Sequence, residues 1–161
     1  MYYFPNPRFF RSEEFFPKTV CDAHITNENS LWRLMDNRVL WTAEALRKRF
    51  GVMYINNWFW GGQSHLRAYR PAIELLDKEI YSLLDIAQPM FSSFTSQHCL
   101  GRAVDCHFRD FTAEEVREDI RKNPNRSDYQ YITCIENNVE WLHFDSRAWN
   151  REKNGILYVN P

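Results

Sequence analysis

The chain lacks a long apolar run. No stretch approaches about 18 apolar residues, the length that a membrane-spanning helix needs. The N-terminal segment MYYFPNPRFFRSEEFFPK contains two early prolines and charges at Arg8 and Arg11, and it has no apolar core like that of a signal peptide. We therefore expect a protein that is made in the cytoplasm without a signal peptide and that has no membrane span.

A block of charge of one sign is also missing. The 20 basic and 21 acidic residues nearly balance, giving a formal net charge of -1, and the basic residues form no cluster. Proteins that bind nucleic acid or anionic membrane usually carry a basic patch. We therefore expect no nucleic-acid partner.

The four cysteines, Cys21, Cys99, Cys106 and Cys134, form no CxxC pair. Their spacing argues against a disulfide framework and against a thiolate zinc finger. Cys99 and Cys106 are expected to be small core residues.

Repeats, low-complexity tracts and Gly/Ser linkers are absent, and a length of 161 residues suits one compact domain. Hydrophobic residues make up 44% of the chain and aromatic residues 16%, which is enough for a dense core. We expect a monomer with one domain over residues 1–161, in which an N-terminal extension (1–35) packs on a core (36–161).

Helical spacing of apolar residues predicts a helix over 36–51, with Asp36 as its cap and Gly51 at its end. Residues 52–57 are β-branched and aromatic, which favours a strand, and the spacing over 70–85 favours a second helix. Alternation after Gly101 predicts a strand over 102–108. Thr112 and Glu115 then form a potential capping box for a helix over 112–122.

Three more strands are predicted near the C-terminus: residues 128–136 and 139–145, joined by a tight turn at Asn137 and Asn138, and residues 156–160. The fold class is therefore α+β, a small, mostly antiparallel sheet with helices packed on one side.

Metal-capable side chains concentrate in two segments, FTSQHCLGRAVDCHF (94–108) and EWLH (140–143). Strand alternation sends Asp105 and His107 to one face and Cys106 to the other. Glu140 and His143 are three residues apart, so on a regular strand they would point to opposite faces. They can serve one site only if the strand bulges or starts late.

Two histidines and one carboxylate are the ligand set of a catalytic zinc site, which keeps its fourth position for water. Such a site also needs a second carboxylate as general base. The residues alone leave a plainer interpretation open, in which these groups are hydrogen-bonded polar pairs. His107 is a rival ligand, although a supporting or core role suits it better. Ser96 can orient a ligand or cap the loop, and His24 and His65 are expected at the surface.

The segments SQHCLGRAVD and EWLH resemble the two signatures of the zinc D-Ala-D-Ala metallopeptidase family, SxHxxGxAxD and ExxH. This family includes D-Ala-D-Ala carboxypeptidases, vancomycin-resistance dipeptidases and phage L-alanyl-D-glutamate endolysins. The positions that match are Ser96, His98, Gly101, Ala103, Asp105, Glu140 and His143, with Trp141 as the aromatic residue of the second signature. A third family element, Ser-Gly-x-Arg, is similar to Ser64–Arg67, where His65 replaces the glycine.

The resemblance implies that His98, Asp105 and His143 hold one zinc ion, that Glu140 is the general base, and that Arg67 steadies the substrate carbonyl. Arg70 is an alternative to Arg67, since the glycine of that element is lost. The aromatic residues Trp58, Phe59 and Trp60 can form a wall of the cleft or pack in the core.

The implied function is a zinc peptidase, similar to phage endolysins, that cuts an amide bond in the stem peptide of bacterial peptidoglycan. It would act at the cell wall after release during phage lysis, or as part of a virion. Two alternatives remain open: a D-Ala-D-Ala carboxypeptidase or dipeptidase, and a non-catalytic virion or binding protein of the same fold. Glu140 argues against the second, because a purely structural zinc site needs no base.

Overall fold

A computed structural model describes residues 7–23, 28–71 and 96–161. The helices in these ranges are α1 (Lys18–Ala23), α2 (Glu28–Trp32), α3 (Asn37–Phe50), α4 (Ala113–Lys122) and α5 (Arg151–Asn154). The strands are β1 (Met53–Tyr54), β2 (Ala103–Phe108), β3 (Cys134–Glu136), β4 (Leu142–Asp145) and β5 (Leu157–Val159). The helix predicted over 70–85 lies outside the described residues, apart from its first two positions.

Helix α3 begins and ends where its sequence predicts. The Asp36 side chain accepts a hydrogen bond from the Arg38 amide at 2.9 Å, which satisfies one of the free N–H groups of the first turn. Gly51 ends the helix with φ +81°, a conformation that side chains disfavour. The apolar face of α3 is buried through Val39, Leu40, Ala43, Leu46 and Phe50.

Helix α4 has the predicted capping box. The Glu115 amide donates to Thr112 Oγ1 at 3.2 Å, and the Thr112 amide donates back to the Glu115 carboxylate at 2.7 Å. The buried residues of α4, Ala113, Val116 and Ile120, join the same core as α3.

The five strands form one sheet in the order β1-β2-β4-β3-β5. All pairs are antiparallel except β3 and β5, which run parallel. The predicted α+β class with a mostly antiparallel sheet is therefore confirmed. No helix in the described ranges has both the length and the apolar character needed to cross a membrane.

Strand alternation divides the sheet into an apolar face and a polar face. Val104, Cys106, Ile135, Leu142 and Phe144 belong to the hydrophobic core together with residues of α3 and α4. The register places Asp105, His143, Asp145 and Glu136 on the opposite face. One side of the sheet thus stabilises the fold, and the other presents ionisable groups.

Several predicted strands are shorter than their sequence patterns indicated. The strand predicted over 52–57 is reduced to β1. That predicted over 128–136 begins only at Cys134, after a 3-10 turn at Ser127–Tyr129, and that predicted over 139–145 begins only at Leu142. Residues 137–141 connect β3 to β4, so the predicted two-residue turn at Asn137 and Asn138 is wrong. Asn138 does take the left-handed conformation, with φ +58°.

The described parts of the N-terminal region share the core of the domain. Phe15 and Phe16 are fully buried, and both pack edge-on against Trp32 with ring centroids 5.5 Å apart. The Trp58 indole donates to the Phe16 carbonyl at 2.9 Å. The described residues of this region therefore share one hydrophobic core with residues 36–161.

Candidate metal centre

The predicted ligands His98, Asp105 and His143 lie together on the polar side of the sheet. Asp105 and His143 are direct partners in the β2–β4 register, and Asp105 Oδ1 is 2.7 Å from His143 Nδ1. His98 Nε2 is 3.4 Å from Asp105 Oδ2. One potential ligand atom from each residue lies within 4.8 Å of the other two, and all three residues are buried. This spacing lets the three side chains share one cation.

His98 reaches the sheet from a tight turn whose shape depends on Gly101. The Gly101 amide donates to the His98 carbonyl at 3.1 Å, and the Gly101 carbonyl accepts from the Asp36 amide at 2.8 Å. Gly101 has φ +64°, and a Cβ at this position would lie 2.0 Å from the Leu34 carbonyl oxygen. Only glycine fits here, so the turn that carries His98 requires glycine at position 101.

The ring of His98 is oriented by the backbone. Its Nδ1 lies 2.9 Å from the Ala68 carbonyl oxygen, which can only accept, so Nδ1 carries the proton and Nε2 presents a lone pair toward Asp105. Burial lowers the pKa of His98 from its ordinary value, despite the opposing effect of Asp105. His98 is therefore neutral at neutral pH, the state in which imidazole binds a metal.

Asp105 and His143, unlike His98, are both charged at neutral pH. Burial works against both charges, but the hydrogen bond from His143 holds the pKa of Asp105 well below its usual range. Hydrogen bonds to Asp105 and Asp145 likewise overcome burial and raise the pKa of His143 to about 9. Without a metal, the cluster is held together by an ionised carboxylate beside a charged imidazole.

The three residues open onto a pocket of about 370 Å³ that is lined mainly by polar side chains. Arg70 lies at this pocket, and its Nη2 is 3.2 Å from Asp105 Oδ2. Arg67, the residue implied by the Ser-Gly-x-Arg element, is not among the lining residues; its Nε donates to Ser64 Oγ at 3.1 Å. The geometry therefore favours Arg70 over Arg67 as the arginine that meets a bound molecule. The pocket is lined by Arg70, Ser96, Gln97, His98, Asp105, Glu136, Trp141, His143 and Arg147.

Glu140 immediately precedes the pocket-lining Trp141, in the connection before β4. Strand β4 starts at Leu142, three residues later than predicted, so Glu140 is free of strand alternation. Of the two conditions under which Glu140 and His143 could serve one site, a bulge or a late start, the late start is observed. Its side chain is exposed and lies outside the pocket lining, whereas Glu136 is part of that lining, with Oε1 3.8 Å from His143 Nδ1. Glu136 is therefore the carboxylate that the pocket presents beside Asp105, whereas Glu140 is a candidate base through its position in the ExxH segment.

Arg117 of α4 holds the backbone that connects β3 to β4 through hydrogen bonds. This guanidinium is buried and donates to the Trp141 carbonyl at 2.9 Å and to the Val139 carbonyl at 2.7 Å. Its Nε also donates to Glu114 at 2.7 Å. Arg117 therefore holds the backbone on both sides of Glu140.

The remaining polar candidates lie elsewhere. Cys106 is buried on the apolar face, as expected, whereas Cys99 is half-buried, and neither joins the metal-capable group found in the described residues. His107 is half-buried on β2 and is also outside that group, and His65 is half-buried. His24 lies outside the described residues. The turn Trp58–Trp60 does not line the pocket; Phe59 and Trp60 are exposed.

Sequence reasoning missed Asp145 and Arg147. Asp145 is fully buried, with Oδ2 3.3 Å from His143 Nε2, and the Arg147 side chain binds the same carboxylate through Nε at 2.8 Å and Nη2 at 2.5 Å. Asp145 is two positions after His143, so strand alternation could have placed it on the same face.

Comparison of the chain with protein-family models, with curated proteins and with solved structures yields no match. The likeness to the zinc D-Ala-D-Ala metallopeptidases is therefore carried by the signature residues alone.

Proposed function

We propose that the protein is a zinc-dependent peptidase that hydrolyses an amide bond in the stem peptide of bacterial peptidoglycan. The observation that carries the proposal is the convergence of His98, Asp105 and His143, from distant parts of the chain, beside an open polar pocket. The signatures that contain these residues suggest the reaction and the substrate.

The donor set fits zinc. Two imidazole nitrogens and one carboxylate oxygen are ligands that zinc accepts, and three protein ligands leave a coordination position for water or substrate. His98 is neutral, Asp105 is ionised, and His143 would release its Nδ1 proton on metal binding. When bound, the ion supplies Lewis acidity and lowers the pKa of water.

The chain's own residues supply the other roles. Glu140 takes a proton from the attacking water onto its carboxylate and delivers it to the leaving amine, as the ExxH signature implies. Glu136 is the competing candidate, because it lines the pocket. Arg70 directs positive charge into the pocket and stabilises the negative charge that develops on the substrate carbonyl oxygen.

The first test is metal analysis of the purified protein beside His143→Ala. We expect about one zinc ion per chain in the wild type and a marked loss in the variant. Equal zinc in both proteins would remove His143 as a ligand.

The second test is zymography on purified cell walls, with and without a chelator, followed by mass spectrometry of the released muropeptides. Chelator-sensitive cleavage inside the stem peptide is the expected result. Release of terminal D-Ala alone would indicate the carboxypeptidase or dipeptidase alternative. Zinc binding without any cleavage would favour a non-catalytic virion or binding protein.

A further inference from the structure

We propose that Asp145 is a positioning residue that fixes the His143 ring so that Nδ1, rather than Nε2, is the metal ligand. The inference rests on the metal site of the proposed function. It concerns a residue outside both signatures.

The two nitrogens of His143 face different carboxylates. Nδ1 is 2.7 Å from Asp105 Oδ1, on the side where the potential ligand atoms converge, whereas Nε2 is 3.3 Å from Asp145 Oδ2. Since an ionised carboxylate can only accept, Asp145 retains the proton on Nε2. The nitrogen left to bind a cation is then Nδ1, beside Asp105.

Asp145 is itself held rigidly. Its side chain is fully buried, and the Arg147 guanidinium binds Oδ2 through two nitrogens at 2.8 and 2.5 Å, while the Arg147 amide donates to Oδ1 at 3.1 Å. This forked charge-assisted contact fixes the plane of the carboxylate and compensates its buried charge. Arg147 thereby orients the Asp145 carboxylate, which in turn orients the His143 ring.

Carboxylate partners of this kind matter for metal binding because they fix the tautomer and the direction of the ligating ring. Loss of such a partner typically lowers metal affinity 10–100-fold. The rival explanation is that Asp145 only links β4 to Arg147 and the Thr133 segment, in which case its loss would reduce stability without a specific effect on zinc.

The test is the zinc affinity of Asp145→Asn, measured by competition with a chromophoric chelator. We expect affinity to fall about 10–100-fold relative to wild type. In a His143→Ala background, Asp145→Asn should cause no further loss, since the ring that it orients is gone. Thr42→Val is the matched control: Thr42 is a buried residue of α3 whose Oγ1 donates to the Arg38 carbonyl at 2.7 Å, away from the site, and its substitution should affect stability without altering zinc affinity.

A second measurement needs no variant. The ¹⁵N chemical shifts of the His143 ring in zinc-loaded wild type should report a proton on Nε2 and the metal on Nδ1. The opposite assignment, or unchanged affinity in Asp145→Asn, overturns the inference. If Asp145→Asn does not fold, Arg147→Gln serves as the test variant, because it changes a half-buried side chain that holds the Asp145 carboxylate. It should also lower zinc affinity relative to wild type.

The outcomes separate this inference from the proposed function. Zinc affinity that depends on Asp145, together with no hydrolysis of cell walls, would reject the peptidase and keep the positioning role. Hydrolysis of cell walls together with a zinc affinity that does not depend on Asp145 would keep the peptidase and reject the positioning role. Absence of zinc binding would overturn both the peptidase and the positioning role.

Discussion

Asp105 and His143 are direct cross-strand partners on β2 and β4, and their side chains meet at 2.7 Å between Oδ1 and Nδ1. The distance between directly opposed residues in an antiparallel pair is set by the backbone, so the sheet itself brings these two groups together. His98 is supplied by the turn before β2. The proposed metal site therefore has one candidate ligand on each of two paired strands and one on a glycine-dependent turn.

The general base of the proposed peptidase can be identified by comparing Glu140→Gln with Glu136→Gln. We expect Glu140→Gln to lower kcat about 10²–10⁴-fold while retaining zinc, because the amide cannot accept the proton of the attacking water. Glu136→Gln should lower kcat less than about tenfold. Hydrolysis rates and zinc content of both variants check this, and a reversed pattern would assign the base to Glu136.

The two arginines differ in what they contact, and their variants should differ accordingly. Arg70→Gln should lower kcat about 10²–10³-fold, because it removes the pocket guanidinium expected to stabilise charge on the substrate oxygen. Arg70 also contacts Asp105, so zinc content must be measured beside the rate. Arg67→Gln is the matched comparison. If it reduced kcat more than Arg70→Gln does, the role would return to the arginine of the Ser-Gly-x-Arg element.

The sequence predicted those parts of the site and fold that depend on local patterns. Alternation placed Asp105 and Cys106 on opposite faces, and the spacing of Glu140 and His143 called for a bulge or a late start of β4 if both serve one site, of which the late start is observed. The Asp36 cap and the Thr112–Glu115 capping box could also be predicted, because each involves residues that are close together in the sequence.

What the sequence did not predict depends on contacts between distant segments. The parallel pairing of β5 with β3 joins residues far apart in the chain. Whether Arg70 or Arg67 lies at the pocket depends on the backbone path of residues 67–70. Along this path the Arg67 carbonyl accepts a hydrogen bond from the Asp105 amide at 2.6 Å, and the Ala68 carbonyl accepts one from His98 Nδ1. Neither relationship has a sequence pattern.

Gly101→Ala should affect both stability and metal binding. The substitution forces a side chain into a positive-φ position and against the Leu34 carbonyl, so we expect the free energy of unfolding to fall by more than about 1 kcal/mol. Because Gly101 closes the turn that carries His98, zinc affinity should fall as well. Gly155→Ala is the control: it has φ +72°, but its Cβ would meet nothing within 4 Å. Denaturant unfolding and zinc competition check the pair, and equal effects from both glycines would contradict the steric argument.

Asp119 provides a pH-dependent link between α4 and its neighbours. It accepts from Arg49 Nη2 of α3 at 2.9 Å and from the Tyr129 hydroxyl. Although burial opposes its charge, these hydrogen bonds lower the pKa of Asp119 below its ordinary value of 3.8. A carboxyl whose pKa is depressed in the folded state stabilises the fold above its unfolded pKa, and that contribution disappears as pH falls through the folded value.

Asp119→Asn should therefore lower Tm at neutral pH, whereas its Tm should approach that of wild type as the pH falls through the lowered pKa of Asp119, where the wild-type carboxylate becomes protonated. Glu118→Gln is the control on the same helix, because Glu118 pairs only with the exposed Lys122 among the contacts described and should change Tm little at any pH. Thermal melts followed by circular dichroism across this range provide the measurement. A Tm difference for Asp119→Asn that stays constant with pH would show that the ionised carboxylate does not stabilise the contact between α3 and α4.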